Sequence, residues 1–276
     1  MSHTSPLVHA DWLHTHLQDV RLCDVRWPPA GAQGLARYRE GHIPGAVFVD
    51  LDADLSAELS PDGAGGRHPW PAVEAFSQTL GRLGISADTH VVAYDATAGS
   101  IAARLWFMLR VHGHEKVSVL DGGLPAWSAA GFPLQRQDVT PQPVEPPRLK
   151  LDKARLIHTA EELQRERGNA TLLDARAPER YRGETEPIDK KAGHIPGAVN
   201  MPHLQNLIDG RFKPPAELRA LYEKLGGEVI SSCGSGVTAC HDLLALELAG
   251  LNPGKLYVGS WSDWISDPSR PIGSGA

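Results

Sequence analysis

Short apolar runs alternate along the chain with segments in which apolar residues recur every three or four positions. The short runs are typical of buried strands; in the first half they are Arg21–Val25, Val47–Asp50, His90–Tyr94 and Val117–Leu120. The helical spacing occurs in Ala72–Leu83 and Ile101–Val111. Strands that alternate with helices predict an α/β fold, in which a parallel sheet is covered by helices on both faces.

The second half shows the same alternation. Its predicted strands are Thr171–Asp174, Val199–Met201, Val229–Ser231 and Leu256–Val258, and its predicted helices are Glu217–Leu225 and Val237–Leu248. The halves also share sequence, because Gly-His-Ile-Pro-Gly-Ala-Val occurs at 41–47 and again at 193–199. A repeated unit of about 130 residues is a normal domain size, so the repeat predicts two duplicated domains.

Prolines separate the two copies. Pro141, Pro143, Pro146 and Pro147 lie close together, where they disfavour both helix and central strand. We therefore predict a first domain at 1–138, a semi-rigid linker at 139–152 and a second domain at 153–276. Two domains imply a cleft between them, and such clefts are favoured ligand sites.

Composition excludes several classes of function. The 276 residues are 41% hydrophobic and 22% charged, with a net charge of -6. This balance predicts a folded protein without a basic surface for nucleic acid or an anionic membrane. We find neither a secretory signal nor an apolar run long enough to span a bilayer. Three cysteines do not make a disulfide framework, so we expect a reducing, cytoplasmic environment.

The segment from Cys233 to Thr238 carries the candidate chemistry. It follows a predicted strand and opens a predicted helix, and Gly234 and Gly236 allow its backbone to turn tightly. Amide groups that face inward at a helix N-terminus bind anions, so this loop favours the reactive thiolate form of Cys233. The alternative is that Cys233 is a small buried core residue.

The other cysteines serve as a contrast. Cys240 lies on the inward stripe of its predicted helix and Cys23 lies in a predicted strand, so we expect both to be inert core residues. The first copy has Asp95 where the second has Cys233. Because a carboxylate cannot carry sulfur, the first domain is predicted to be non-catalytic.

With these features the chain resembles the tandem-domain rhodanese superfamily. The resemblance is carried by the paired Gly-His-Ile-Pro-Gly segments, the Asp-Ala-Arg strand end at Asp174 and the cysteine loop, and it covers nearly the whole length. The loop Cys-Gly-Ser-Gly-Val-Thr is most similar to that of 3-mercaptopyruvate sulfurtransferases. The thiosulfate-using branch places Arg and Lys where this chain has Gly234 and Ser235. A loop without cations suits a monoanionic thiol donor better than the dianion thiosulfate.

The resemblance also implies partners for Cys233. Arg180 matches the family's substrate-binding arginine, whose guanidinium would hold a carboxylate. A second cation falls near Lys190, with Arg182 as the competing choice. Asp52 and His68 match residues that reach toward the cysteine loop and would form a proton relay with Ser235. The alternatives are solvated surface cations for Arg180, Lys190 and Arg182, a turn or helix cap for Asp52 and a surface imidazole for His68.

These features predict a sulfurtransferase with two half-reactions. Cys233 takes sulfur from 3-mercaptopyruvate and holds it as a persulfide against the loop amides of Gly234, Gly236, Val237 and Thr238. A thiol such as thioredoxin, or cyanide, then accepts the sulfur. No metal or organic cofactor is expected, because no ligand cluster is present. The alternatives are a thiosulfate:cyanide sulfurtransferase and a non-catalytic rhodanese-like binding protein.

Overall fold

The computed structural model describes residues 4–27 and 33–275. The chain divides into two compact units. Unit 1 comprises 1–56, 71–152 and 210–212, and unit 2 comprises 57–70, 153–209 and 213–276. The predicted domain limits stay a prediction, and the structure adds that unit 2 resumes at residue 153. The segment 57–70, which the sequence places in the first domain, instead joins unit 2 through its contacts.

Unit 1 is built around a five-stranded parallel sheet of order β1-β5-β4-β2-β3. Its strands are β1 (Leu7–Val8), β2 (Val20–Asp24), β3 (Val47–Phe48), β4 (His90–Tyr94) and β5 (Val117–Leu120). Its helices are α1 (Ala10–Thr15), α2 (Gly34–Glu40), α3 (Leu51–Asp54), α4 (Val73–Arg82), α5 (Ala102–Val111) and α6 (Gly123–Ala129). The four predicted strands and both predicted helices are confirmed within three residues at their ends.

Unit 2 contains a second five-stranded parallel sheet, of order β6-β12-β11-β7-β8. Its strands are β6 (Leu156–Ile157), β7 (Ala170–Asp174), β8 (Val199–Asn200), β11 (Glu228–Ser232) and β12 (Lys255–Tyr257). Its helices are α7 (Ala160–Glu166), α8 (Pro178–Tyr181), α9 (Pro215–Tyr222), α10 (Ala239–Leu248) and α11 (Ser260–Trp264). Two further short strands are β9 (Leu207–Ile208), which belongs to unit 2, and β10 (Arg211–Phe212), which belongs to unit 1. The two five-stranded sheets have equivalent strand orders, which confirms the α/β fold and the duplication.

The repeated Gly-His-Ile-Pro-Gly turns have the same structural role in both units. In unit 1, His42 Nδ1 donates to the Tyr38 carbonyl at 2.9 Å, and the imidazole stacks on the Tyr38 ring at 3.7 Å. In unit 2, His194 makes the same contacts with Tyr181, at 2.7 Å and 3.8 Å. Both histidines are buried. The symmetry explains why the turn is repeated although only one copy has a cysteine at its strand end.

The strand ends are braced in a similar way. Arg26 binds the carboxylate of Asp24 and the carbonyl of Gly41. In unit 2, Arg176 binds the carboxylate of Asp174 and the carbonyl of Gly193. Each arginine therefore ties the end of a central strand to the Gly-His-Ile-Pro-Gly turn. These contacts fix the carboxyl ends of β2 and β7, from which the following loops leave the sheets.

The predicted linker has neither helix nor strand between 139 and 152. It is nevertheless held along unit 1, because Val144 donates to the carbonyl of Gly81 and Ser77 donates to the carbonyl of Pro147. Proline fixes φ and has no backbone N–H, so the linker neither forms a helix nor joins a sheet. These two hydrogen bonds hold the extended linker on unit 1. In the part of the chain that the structure describes, no helix is long and apolar enough to cross a membrane.

Candidate active site

The cysteine loop lies between β11 and α10. Cys233 follows the last residue of the strand, at the carboxyl end of a central strand of the parallel sheet, where such folds bind ligands. Its amide donates to Ser260 Oγ at 3.0 Å, and its carbonyl accepts from the Trp261 amide at 3.0 Å. The Gly234 carbonyl accepts from the amide of Ser262 at 2.9 Å. The loop is thus docked on the first turn of α11, and Cys233 is only 3% exposed.

Gly236 is required by this geometry. Its φ is +73°, in the left-handed region that side chains rarely adopt. A Cβ at this position would also fall well inside contact distance of the Val258 carbonyl oxygen. The strand-to-helix turn therefore needs glycine for two independent reasons, one conformational and one steric.

The equivalent loop of unit 1 shows how such a turn binds an anion. Asp95 follows β4 as Cys233 follows β11. One of its carboxylate oxygens accepts from the amides of Thr97 and Gly99, and the other accepts from those of Ile101 and Ala102, all at 2.8–2.9 Å. Four amides therefore converge on one buried negative group, as expected of an anion nest at a helix N-terminus.

In unit 2 the side chain at the start of the loop is a thiol instead of a carboxylate. Among the residues that the structure describes, no acceptor is found for the loop amides of Ser235, Val237 and Thr238. By analogy with the Asp95 loop, these donors suit a thiolate or a persulfide. The two loops occupy equivalent positions between a central strand and the following helix, and they begin with different chemical groups.

The other two cysteines lack this setting. Cys23 is fully buried in β2, and burial raises the pKa of its thiol to about 12, so it stays protonated. Cys240 is fully buried in α10 and its Sγ donates to the Gly236 carbonyl at 3.4 Å. Both environments fit the inert core residues that the sequence predicts.

Ser235 and His68 meet above the loop. A hydrogen bond of 2.7 Å joins Ser235 Oγ to His68 Nδ1, and the two residues are 5% and 3% exposed. His68 belongs to the segment 57–70, which is held on unit 2 by hydrogen bonds from Gly65 to Asp263 and from Arg67 to Ser262. The structure thus brings together two of the three predicted relay residues, in a buried pair suited to proton transfer.

Asp52, the third predicted relay residue, lies in unit 1. It is the second residue of α3, and its carboxylate accepts from Trp27 Nε1 at 2.9 Å. The helix cap is not Asp52 but Asp50, whose side chain accepts from the amides of Asp52 and Ala53. The participation of Asp52 in the relay stays a prediction.

Arg180 belongs to an ion-pair cluster beside Gly234. It donates to Glu186 at 2.6 Å and to Asp189 at 3.3 Å. Asp189 also accepts from Arg67 Nε at 2.9 Å. A Cβ placed on Gly234 would lie 2.8 Å from Arg67 Nη2 and 3.6 Å from Arg180 Nη2. Two guanidinium groups therefore lie directly against the backbone of the cysteine loop.

The carboxylate of Glu186 is held in its charged form. Burial alone would raise the pKa of the Glu186 carboxyl, but hydrogen bonds from Arg180 and from the amides of Asp189 and Ile188 bring it below its usual value. Arg176 donates to Glu186 as well, at 3.3 Å. Burial would lower the pKa of Arg176, but Asp174, Glu186 and Cys233 raise it. In this cluster guanidinium and carboxylate groups alternate, and each is held in place by its ion pairs.

The remaining predicted cations lie farther from the loop. Arg182 is 37% exposed and is paired with Glu184 at 2.7 Å. Lys190 is exposed and lines a pocket of about 420 Å³, together with Arg67 and Asp189. The sequence motif identified Arg180 but missed Arg67 and Asp189. The sequence signal for Arg67 is its position next to His68, a candidate relay residue; Asp189 has no such signal.

The position of Arg67 and Arg180 corrects one argument from the sequence. The six residues of the loop contain no cation, which by itself disfavours a dianionic donor. The folded chain supplies two guanidinium groups to Gly234 from outside the loop. Loop composition alone therefore does not measure the positive charge at this site.

A buried polar network lies behind the loop in α10. The sequence predicts one inward stripe for this helix, but every residue from Ala239 to Leu246 is buried. Asp242 accepts from Asn206 Nδ2 at 3.0 Å and from Ser231 Oγ at 3.3 Å, and Tyr222 donates to Asn206. Burial raises the pKa of Asp242 to about 7, although these hydrogen bonds oppose the shift.

Comparison with known proteins agrees with the duplicated architecture. The rhodanese-like domain model matches residues 9–130 and 159–267. A protein of Pseudomonas aeruginosa named "Probable 3-mercaptopyruvate sulfurtransferase" is 45% identical and aligned over 93% of this chain and 93% of its own length. The thiosulfate sulfurtransferase of Mus musculus is 38% identical over 94% of this chain and 91% of its own length. The crystal structure of the 3-mercaptopyruvate sulfotransferase SseA from Escherichia coli matches with a TM-score of 0.80 and 35% identity, covering 94% of this chain and 99% of that one.

Proposed function

This chain belongs to the rhodanese-like domain family, and from that premise we propose that it is a sulfurtransferase that takes sulfur from 3-mercaptopyruvate as a persulfide on Cys233. The observation that carries the proposal is the loop that begins at Cys233. It combines a thiol, amides without an acceptor among the described residues and a buried Ser235–His68 pair. A nucleophile, an anion site and a proton-transfer group are the parts that this chemistry requires.

The first half-reaction begins with the Cys233 thiolate, which attacks the sulfur of 3-mercaptopyruvate. A sulfur–sulfur bond forms as the carbon–sulfur bond breaks, and the bonding electrons leave on the enolate of pyruvate. The hydrogen on the transferred sulfur moves through Ser235 and His68 to the enolate, which becomes pyruvate. Cys233 keeps an anionic persulfide, stabilised by the loop amides as Asp95 is stabilised in unit 1.

In the second half-reaction an acceptor thiolate, or cyanide, attacks the outer sulfur and restores the Cys233 thiolate. Thioredoxin is the kind of acceptor that we propose, because it presents a reactive thiolate. The three cysteines are free thiols in the structure. A reducing compartment such as the cytoplasm would keep them so, and this location stays a prediction.

Thiosulfate is the second candidate donor. The observation that favours it is the pair of guanidinium groups of Arg67 and Arg180 against Gly234, since planar guanidinium groups bind sulfonate oxygens as well as carboxylates. In this case sulfite would leave with the bonding electrons and no proton transfer to carbon would be needed. The Ser235–His68 pair has no evident role in that reaction, and for this reason we place 3-mercaptopyruvate first.

The proposal is tested by treating the protein with each donor and measuring intact mass and tryptic peptides. We expect one added sulfur on the Cys233 peptide, with pyruvate released in equal amount. Cys233→Ser should abolish both, whereas Cys240→Ser, a change in a buried thiol of the same unit, should preserve them. Sulfur found on Cys240, or no persulfide with either donor, would contradict the assignment.

A further inference from the structure

Arg67 lies at the cysteine loop although it is distant from it in the sequence. Resting on the function proposed above, we propose that Arg67 is a second donor-binding residue, which acts with Arg180 to hold the carboxylate of the donor. Asp189 is inferred to be the positioning residue that sets the spacing of the two guanidinium groups. The pair thus combines one side chain from the segment 57–70 with one from α8.

The first support is position. The Arg67 and Arg180 Nη2 atoms lie 2.8 Å and 3.6 Å from where a Gly234 Cβ would be, and Oδ2 of Asp189, the carboxylate that they share, also lies at 3.6 Å. In 3-mercaptopyruvate only a methylene and a carbonyl carbon separate the sulfur from the carboxylate. With its sulfur at Cys233, the donor is therefore long enough for its carboxylate to reach the two guanidinium groups beside Gly234, the next residue of the loop.

The second support is the number of N–H groups that remain available. A guanidinium group has five N–H donors in a planar fork. Arg67 uses Nε and Nη2 on Asp189. Arg180 uses Nε and Nη2 on Glu186 and Asp189. Among the described residues, no acceptor is found for Nη1 of either arginine, so each keeps donors for a bound carboxylate.

The third support is the arrangement of Asp189. Its side chain is 3% exposed, and its two oxygens accept from both arginines. A buried carboxylate shared by two guanidinium groups offsets their mutual repulsion and fixes them in place. Arg67 and Arg180 are themselves only 29% and 17% exposed, so their attraction for a donor is weakly screened by solvent.

The competing cations are less well placed. Arg182 is occupied by Glu184 at 2.7 Å and lies on the exposed side of its turn. Lys190 lines the pocket that Arg67 and Asp189 also border, but its side chain is exposed to solvent. An exposed ammonium group is strongly hydrated and contributes less to carboxylate binding than a half-buried planar fork.

The test compares Arg67→Gln with Arg182→Gln, a matched change in a cation that is paired away from the loop. Arg67→Gln should raise KM for 3-mercaptopyruvate about ten- to a hundredfold, the range for a lost hydrogen bond between charged groups. Its kcat should change little, because the carboxylate contact is made in both ground and transition states. The KM of Arg67→Lys should lie between that of the wild type and that of Arg67→Gln. The KM of Arg182→Gln should equal that of the wild type.

A double-mutant cycle with Gly234→Ala tests the position itself. The φ of Gly234 is not in the left-handed region, so alanine is tolerated by the backbone, but its Cβ would displace the Arg67 guanidinium. Gly234→Ala should therefore raise KM in the wild type and have little further effect in the Arg67→Gln background. Equal effects in both backgrounds would mean that Arg67 does not act at Gly234.

The outcomes separate the two proposals. If the wild type forms no persulfide from 3-mercaptopyruvate, the proposed function fails. If the wild type forms it and Arg67→Gln has an unchanged KM, the role of Arg67 is refuted while the function stands. A loss of kcat together with a lowered unfolding temperature in Arg67→Gln would assign Arg67 to the support of His68 instead, and would also overturn the inference.

Discussion

Replacing Gly236 by alanine should disable the cysteine loop, whereas the same replacement at Gly197 should leave sulfur transfer intact. The two glycines form a matched pair within unit 2. Their φ values are +73° and +82°, so alanine has a similar conformational cost at both, about 1 to 2 kcal/mol. They differ in their surroundings. A Cβ on Gly197 would meet nothing within 4 Å, but on Gly236 it would collide with the Val258 carbonyl.

The size of the effect follows from that collision. To admit a methyl group, the loop and the end of β12 must separate by about 1 Å, and a displacement of that size can reduce a rate about a hundredfold. The displacement acts on the two hydrogen bonds that hold Cys233, one from its amide to Ser260 Oγ and one from the Trp261 amide to its carbonyl. We therefore expect Gly236→Ala to lose about two orders of magnitude in kcat/KM beyond any loss shown by Gly197→Ala.

The assay has two parts. Steady-state pyruvate release gives kcat/KM, and urea unfolding shows whether each variant is folded under assay conditions. Gly197→Ala should lose stability but keep its activity. If Gly236→Ala retained wild-type activity, or if both variants lost activity equally, the steric role of Val258 in shaping the loop would be wrong.

Two further predictions concern protons. Ser235→Ala should reduce kcat with 3-mercaptopyruvate about a hundredfold or more, because the hydroxyl 2.7 Å from His68 Nδ1 is lost; turnover of thiosulfate, whose leaving group needs no proton on carbon, should fall much less, and an equal loss with both donors would contradict the relay. Asp242→Asn should alter how the free energy of unfolding depends on pH. Burial raises the pKa of the Asp242 carboxyl from 3.8 to about 7 in the folded protein, so the wild type loses about 1.4 kcal/mol of stability per pH unit as the pH rises through this window. The variant has no carboxyl at this position and should not show this loss. Hydrogen exchange of α10 amides between pH 4 and 7 measures this difference, and a difference that does not change with pH would refute it.

Local pattern predicted most of the scaffold. The four longest parallel strands, β2, β4, β7 and β11, were found because each is a continuous apolar run buried on both faces. The two-residue edge strands β1 and β6 have no longer apolar run around them and are not predicted, whereas β3 and β8, of the same length, follow the repeated Gly-His-Ile-Pro-Gly turn. The loop position of Cys233 is predicted by the same reasoning, because a strand followed by a glycine-rich segment implies a loop at the carboxyl end of the parallel sheet.

Helix α10 shows where periodicity fails. A stripe of apolar residues predicts one buried face, yet Asp242 and His241 on the other faces are also fully buried. A helix packed on all sides can carry polar residues inward when they find partners, here Asn206 and Ser231. Those partners lie in other elements, so the residues that neighbour Asp242 in the sequence do not show that its carboxyl has buried hydrogen-bond partners.

The amino-acid sequence by itself predicted the duplication, the α/β architecture of each copy and the position of the glycine-rich loop of Cys233 at a strand end, because each depends on residues that are close together in the chain. The resemblance to a family added His68 and Arg180. Only the tertiary structure decided that segment 57–70 packs with unit 2, placing Arg67 on Asp189, 122 residues away, and that four amides close on Asp95. The physical reason is that ion pairs and nests depend on the approach of distant segments, and that approach is set by the packing of the whole unit and not by any local period.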